Sequence, residues 1–375
     1  MLTMETFKRI IKLKRLFLLL LFPAAVALLA FAKQNRDFTE YVFARGIFKI
    51  YSQAFSAVTG LFPFSLAEFG ICLGIFLIPA LIIFEIVMMI KKRGSRLYIL
   101  FRDILTLAGI ASLVYFMLVM GCSVNYHRYT FAEIAGLDVH DSSVDELKAL
   151  CDELAGQATA LRAELKEDAD GCFIYSTSMT ELASKCRDAY KELAKEYPIT
   201  GGFYPRTKLV IHSTFMSMTE ITGVYVPFTM EANVNVDVPR YTIAHTRCHE
   251  LAHLRGFIRE DEANYIAYLA CMASGDKELM YSALAEALVY TGNALAGKDI
   301  DAYSEMRWGL DPGINRDFAA NSEYWKQYDN TPVSNTTDAI NDSYLKANDQ
   351  EDGVQSYGRM VDLLLAEYRK KHNIK

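Results

Sequence analysis

The chain has seven cysteines among 375 residues, but no two of them form a C-x-x-C pair. That absence argues against a thiolate zinc site. No internal repeat and no low-complexity tract is present, so the chain is not a stacked repeat array. No small-x-small cleavage site followed by a soluble chain comes after the first apolar run, so that run reads as an anchor rather than a signal peptide. The net charge is −6, yet basic residues concentrate at 1–15 and 91–103, which leaves the part from Cys122 onward strongly acidic. A nucleic-acid partner is therefore not expected. Cys72 lies within an apolar run, and the other six cysteines allow disulfides without specifying them. Cys172 with Cys186 is a candidate pair.

Apolar residues are abundant, at 52%, and they gather in three long runs near the N-terminus. Spans are expected at about 16–32, 64–90 and 104–121. Each is close to the ~20 residues that a bilayer-crossing helix needs. Lys8, Arg9, Lys12, Lys14 and Arg15 precede the first span, and Lys91, Lys92, Arg93, Arg96 and Arg102 lie between the second and third. Positive residues stay on the cytoplasmic side. The N-terminus then lies in the cytoplasm, and the segment Lys33–Phe62 and everything after Cys122 lie outside it. This divides the chain into a membrane region, 1–122, and an extracytoplasmic domain, 123–375. Lys33–Phe62 mixes aromatic and basic residues and reads either as an amphipathic helix on the outer leaflet or as a loop packed on the domain.

Within the domain, Asp141–Glu167 and Ser178–Tyr197 read as helices, the first capped by Asp141-Ser142-Ser143 and the second closed by Pro198. Lys208–His212 reads as a short strand and Gly223–Val238 as a strand or hairpin. Helices follow at Thr242–Leu254, Glu260–Ala273 and Lys277–Ala296, and then a mixture of helix and polar loop. The fold class is α+β: three membrane helices, then a mostly helical domain with a small sheet.

The chemistry centres on His249-Glu250-Leu251-Ala252-His253. On a helix, residues four apart share a face, so both imidazoles can reach one metal ion. Glu250 beside them is placed to take a proton from water and serve as general base. Leu251, Ala252 and Leu254 indicate a buried helix, where unpaired histidines and a glutamate would be costly. A catalytic zinc takes three protein ligands and keeps a fourth position for water. Arg259 stands where the pattern H-E-x-x-H-x-x-G-x-x-H would have its third histidine. Glu260 and Asn264 instead fit an E-x-x-x-D/N pattern on the next helix, the glutamate as third ligand and the asparagine orienting a ligand imidazole from behind. Gly256 can end the first helix and turn the chain back. Glu262 is the rival ligand. Two positions on a helix differ by about 200° of rotation, so only one of the two can face the metal. His245 shares the helix face and is read as a structural residue. Asn233 and Asn235 alternate with valines in the strand before the motif helix, where one face could hold an extended substrate. Tyr344, Tyr357, Arg359 and His212 are candidate donors to a developing oxyanion, and nothing in the spacing selects among them.

This region resembles the gluzincin type of metallopeptidase, particularly families whose third-ligand helix reads E-x-E-A-D/N, here Glu260-Asp261-Glu262-Ala263-Asn264. The wider chain resembles an uncharacterised bacterial membrane family known as domain of unknown function 3810. The resemblance rests on Tyr225-Val226-Pro227-Phe228-Thr229, Glu231-Ala232-Asn233-Val234-Asn235, Cys248 through Gly256, Arg259 through Tyr265, Asn341 through Asn348 and Gly353 through Leu364. It implies a zincin-like fold with one zinc ion per chain, and it implies no substrate. The resulting expectation is a membrane-anchored zinc metallopeptidase, a hydrolase of peptide bonds in proteins or peptides of the cell envelope. The alternative is a catalytically silent zincin-like sensor or scaffold acting through a membrane partner.

Overall fold

The computed structural model describes residues 14–347 and 359–374. It is mostly helical, with one three-stranded sheet. After a short 3-10 turn, Lys14–Leu20, α1 runs over Leu21–Gln34, and a π-helical stretch, Phe38–Phe48, continues into α2, Lys49–Thr59. The long apolar helices α3, Leu66–Lys91, and α4, Arg96–Gly121, follow. Three helical segments, Leu16–Gln34, Leu66–Lys91 and Arg93–His127, are long and apolar enough to cross a membrane. The N-terminal residues Lys8, Arg9 and Lys12 lie outside the described chain.

The third apolar helix begins at Arg96, well ahead of the expected position near 104. Leu97, Ile99, Leu100 and Phe101 extend the apolar surface. The charge of Arg102 is neutralised by Glu85 of α3 and by Asp103. Paired charges are tolerated at a depth where isolated ones are not.

Residues 38–59 are helical as one of the two readings required, but the stripe Glu40, Phe43, Ala44, Phe48, Ser52 and Ser56 is buried against the domain. Ser52 Oγ donates to the Leu254 carbonyl at 3.0 Å. Arg128 donates to both oxygens of Glu40, at 2.9 and 3.0 Å, and to the Arg255 carbonyl at 2.9 Å. Both members of the Arg128–Glu40 pair are buried. The membrane region is thereby tied to the end of the helix that carries the histidines.

The domain opens with α5, Phe131–Ala135, α6, Val144–Arg162, and α7, Met179–Glu196. Ser143 and Glu146 form a reciprocal capping box on α6. Then come β1, Lys208–Leu209, α8, Ser213–Met218, β2, Gly223–Val226, and β3, Glu231–Val234. The remaining helices are α9, Thr242–His253, α10, Glu260–Ala273, α11, Lys277–Lys298, α12, Ile300–Gly309, α13, Pro312–Lys326, α14, Pro332–Ala347, and α15, Met360–His372. Every residue of α9 is buried, enclosed by α7, α10, α11 and the sheet.

The sheet order is β1-β3-β2, with β1 parallel and β2 antiparallel to β3. This corrects the expected role of Asn233 and Asn235. Asn233 lies on the central strand, paired on both sides, and its amide donates to the Val224 carbonyl at 3.3 Å. Asn235 donates to Ser217 Oγ and the Ile221 carbonyl, at 2.9 and 3.0 Å. Both side chains are buried, so neither lines a face open to an extended ligand. The edge strands are β1 and β2, and β2 is the one that begins at Gly223 against α9. The expected Cys172–Cys186 pair is also absent. Cys172 approaches the Arg316 carbonyl, Cys186 the Ala244 carbonyl, and all seven thiols are free.

Removing one partner of a buried ion pair costs about 3–5 kcal/mol, whereas an exposed pair contributes under about 1 kcal/mol. Arg128→Met should therefore destabilise the full chain by roughly 3 kcal/mol. Arg36→Met, which breaks the half-exposed Arg36–Glu133 pair, should have little effect. Thermal unfolding of both variants in detergent checks the contrast.

Candidate metal centre

Two helices and the turn between them build the site. Gly256 holds a φ of +76°, and a Cβ there would crowd the Asn125 side chain, so the turn after α9 requires glycine. Arg259 enters α10 in extended conformation and donates to the Tyr126 carbonyl at 3.0 Å. α10 then returns beside α9 with Glu260 in its first turn.

The His249 and His253 rings stand nearly perpendicular, with centroids 4.7 Å apart. Glu260 Oε2 lies 3.0 Å from His249 Nε2 and 3.8 Å from His253 Nε2. Candidate ligand atoms of His249, Glu250 and His253 also lie within 4.8 Å of one another. Each imidazole is held from behind. His249 Nδ1 is 2.7 Å from Asn264 Oδ1, and His253 Nδ1 is 2.7 Å from the Phe257 carbonyl. Both partners are acceptors, which places a ring proton on Nδ1 and leaves the Nε2 atoms facing Glu260. Asn264 is itself oriented, its amide donating to Tyr290 Oη at 3.3 Å.

Glu262 points elsewhere. It accepts from the Phe131 backbone N–H at 3.0 Å, and burial pushes its carboxyl up to about 7. His245 is also turned away from the site, with Nε2 3.1 Å from the Asn264 carbonyl. Burial pulls its imidazole down to about 3, which fits the structural reading.

The electrostatics mark a place for positive charge. Burial works against protonating His249, but its contact with the Glu260 carboxylate outweighs that and raises it to about 8. Burial likewise opposes a charged Glu260, and the His249 contact holds it below the usual range. His253, too far from Glu260 for a hydrogen bond, is pulled down to about 4 by burial. Glu250 is pushed up to about 8 by burial, and its Oε2 is buried without a hydrogen-bond partner among the described residues. Two imidazole nitrogens and a carboxylate oxygen converging this way form the donor set that tetrahedral zinc prefers. In the metal-free protein a proton on His249 takes the cation's part.

The edge strand β2 lies directly over this slot. A Cβ on Gly223 would collide with Glu250 Oε1 and sit 2.8 Å from the Thr246 methyl. Only glycine lets strand and carboxylate approach this closely. On the far side of α9, Cys248 Sγ packs 3.5 Å from Cys271 Sγ of α10. The Cys186 contact lowers the Cys248 thiol, but the Cys271 contact and burial outweigh it and raise it; burial raises Cys271, and both thiols serve as packing.

Sequence reasoning missed three residues here: Gly223, Tyr290 and Glu286. Glu286 is raised to about 7 by burial, with the His249 charge opposing that rise. A lone carboxylate in the apolar run Leu284 to Leu288 was the available signal. Two of the four candidate oxyanion donors have described side chains, and both are engaged by carboxylates outside the ligand set. His212 binds Glu68, Arg359 lies 3.8 Å from Asp261, Tyr357 is outside the described residues and nothing is described of the Tyr344 side chain.

A histidine must shed its proton to ligate a metal. With His249 held to about 8, zinc affinity should fall about tenfold per pH unit below that value and level off above it. Competition with a chromophoric chelator across this range measures the slope.

No curated protein and no solved structure matches the chain. The match to a family is extensive. It starts inside the helical stretch before the second membrane helix, includes both motif helices, and ends within α15. Over residues 43–365 this is the family described as Protein of unknown function (DUF3810), and the chain belongs to it.

Proposed function

We propose that this chain is a membrane-anchored zinc metallopeptidase of gluzincin-like type, with its catalytic domain outside the cytoplasm. The observation that carries the reading is the convergence of His249 Nε2, His253 Nε2 and Glu260 Oε2, each imidazole fixed through Nδ1, beside an unpartnered carboxylate oxygen of Glu250. His249, His253 and Glu260 would hold one zinc. When bound, the ion supplies a Lewis acid that polarises a carbonyl and makes water more acidic.

The chain's own groups do the rest. The free edge of β2 pairs with the backbone of an extended peptide and lays its scissile carbonyl over the slot. Glu250 takes a proton from the attacking water, whose oxygen bonds to the carbonyl carbon. The C–N bond then breaks, and the same carboxyl returns the proton to the leaving amine. Asn264 and the Phe257 carbonyl keep the two imidazoles in register. A silent scaffold has no use for a glutamate kept unpartnered beneath a glycine edge, which favours the enzyme over the sensor. The lipid bilayer is the other partner, through the three apolar helices.

Glu250→Gln should abolish peptide hydrolysis, by about 10²–10⁴-fold, while zinc stays bound. Gly223→Ala should also lower turnover without loss of zinc, because the added methyl displaces either the strand or the carboxylate. A fluorogenic peptide library with parallel metal assays reads both. Equal hydrolysis by Glu250→Gln would overturn the mechanism.

A further inference from the structure

The membrane helices and the slot share a wall. Glu231 of the central strand accepts from the backbone N–H of Leu66 and Ala67, 3.0 Å each, and so caps the first turn of α3. Its partner on the edge strand is Val226. Beyond Val226 the chain meets α4: Tyr225 Oη donates to the Gly121 carbonyl at 3.2 Å, and a Cβ on Gly121 would stand 2.5 Å from Pro227 Cβ. One end of β2 therefore stands on the ends of two apolar helices. The other end, Gly223, lies against Glu250. Between them an extended strand covers only about 10 Å.

A second contact marks the same level. Glu68, also in the first turn of α3, accepts from the backbone N–H of Ile211 and His212 at 3.0 and 2.8 Å. Ile211 leads into α8, and Ile211, Phe215 and Met218 are 76%, 65% and 41% exposed. Phe215 and Met218, three apart on α8, share a face, and Ile211 stands in the turn just before it. Helix α3 buries none of its 26 residues, and its length of about 39 Å exceeds the ~30 Å hydrocarbon thickness. Its first turn thus falls in the interfacial layer, and the residues bonded to Glu68 fall there with it. Apolar side chains held at that depth face lipid.

We infer that α8 is a lipid-contacting foot of the domain, and that the site takes polypeptides anchored in the same bilayer, cutting them within a few residues of its surface. The substrate class rests on the peptidase reading above; the lipid foot does not. A chain paired along β2 is already directed at the tops of α3 and α4, so the juxtamembrane segment of an anchored polypeptide reaches Glu250 without unfolding far from the membrane. Tethering in the same plane also raises its local concentration.

The test uses the full chain in phosphatidylcholine vesicles. Phe215→Trp adds a third tryptophan to Trp308 and Trp325. Lipids brominated near the headgroup should quench the added emission, and its full retention would overturn the lipid foot. For the substrate class, a single-span helper carries a randomised segment either at the bilayer surface or beyond a Gly-Ser spacer of about thirty residues. The surface segment should be cut about tenfold faster. Ile211→Ser combined with Phe215→Ser should erase that ratio and leave both zinc content and cutting of the spaced segment unchanged. Equal rates in the parent protein would overturn the substrate class and leave the peptidase reading standing. Cutting of neither segment, with zinc bound, would overturn both, while the quenching result still decides the foot.

Discussion

The burial of α9 is the constraint on which the rest depends. A helix carrying two imidazoles, a third histidine and a carboxylate is fully enclosed, and each polar group there is destabilising unless it finds a partner. The surrounding elements supply those partners in turn. The turn at Gly256 brings the Phe257 carbonyl to His253, α10 brings Asn264 to His249, and the Asn264 backbone serves His245. Beside these satisfied groups, Glu260 faces two Nε2 atoms and Glu250 Oε2 has no hydrogen-bond partner among the described residues. Two imidazole nitrogens and two carboxylates brought this close in a buried slot make a place where a cation would offset the electrostatic imbalance.

The same enclosure ties the domain to the apolar N-terminal helices. Glu40, Glu68 and Glu231 each reach between a membrane-proximal helix and the domain, and each accepts hydrogen bonds there. Arg128 closes the first of these links against the carbonyl end of α9. The apolar helices are not a loose tether. Their ends form part of the wall in which the edge strand is set.

What could be read from the chain was what depends on local spacing. The i,i+4 histidines, the glycine that ends their helix, and the glutamate–asparagine pair on the next helix are all short-range patterns, and the structure brings these residues together. The choice between Glu260 and Glu262 stayed open in the sequence because it depends on the rotation of α10, which Phe131 and Tyr126 help to fix from outside. The strand assignments fared less well for the same reason. Lys208–His212 has an apolar, β-branched centre and reads as a strand, but the bonding to β3 ends with the Val210 N–H on the Val234 carbonyl, because Glu68 captures the backbone N–H groups of Ile211 and His212. Asn233 and Asn235 alternate like an exposed edge, but β1, distant in sequence, covers that side. The early start of the third apolar helix likewise required Glu85, seventeen residues before Arg102.

Elemental analysis of the full chain, purified without chelator at neutral pH, tests the central claim most directly. The account predicts about one zinc per chain, lost in His249→Ala and in Glu260→Gln and kept in Glu262→Gln. A parent protein without zinc, or zinc that survives Glu260→Gln and disappears in Glu262→Gln, would contradict it.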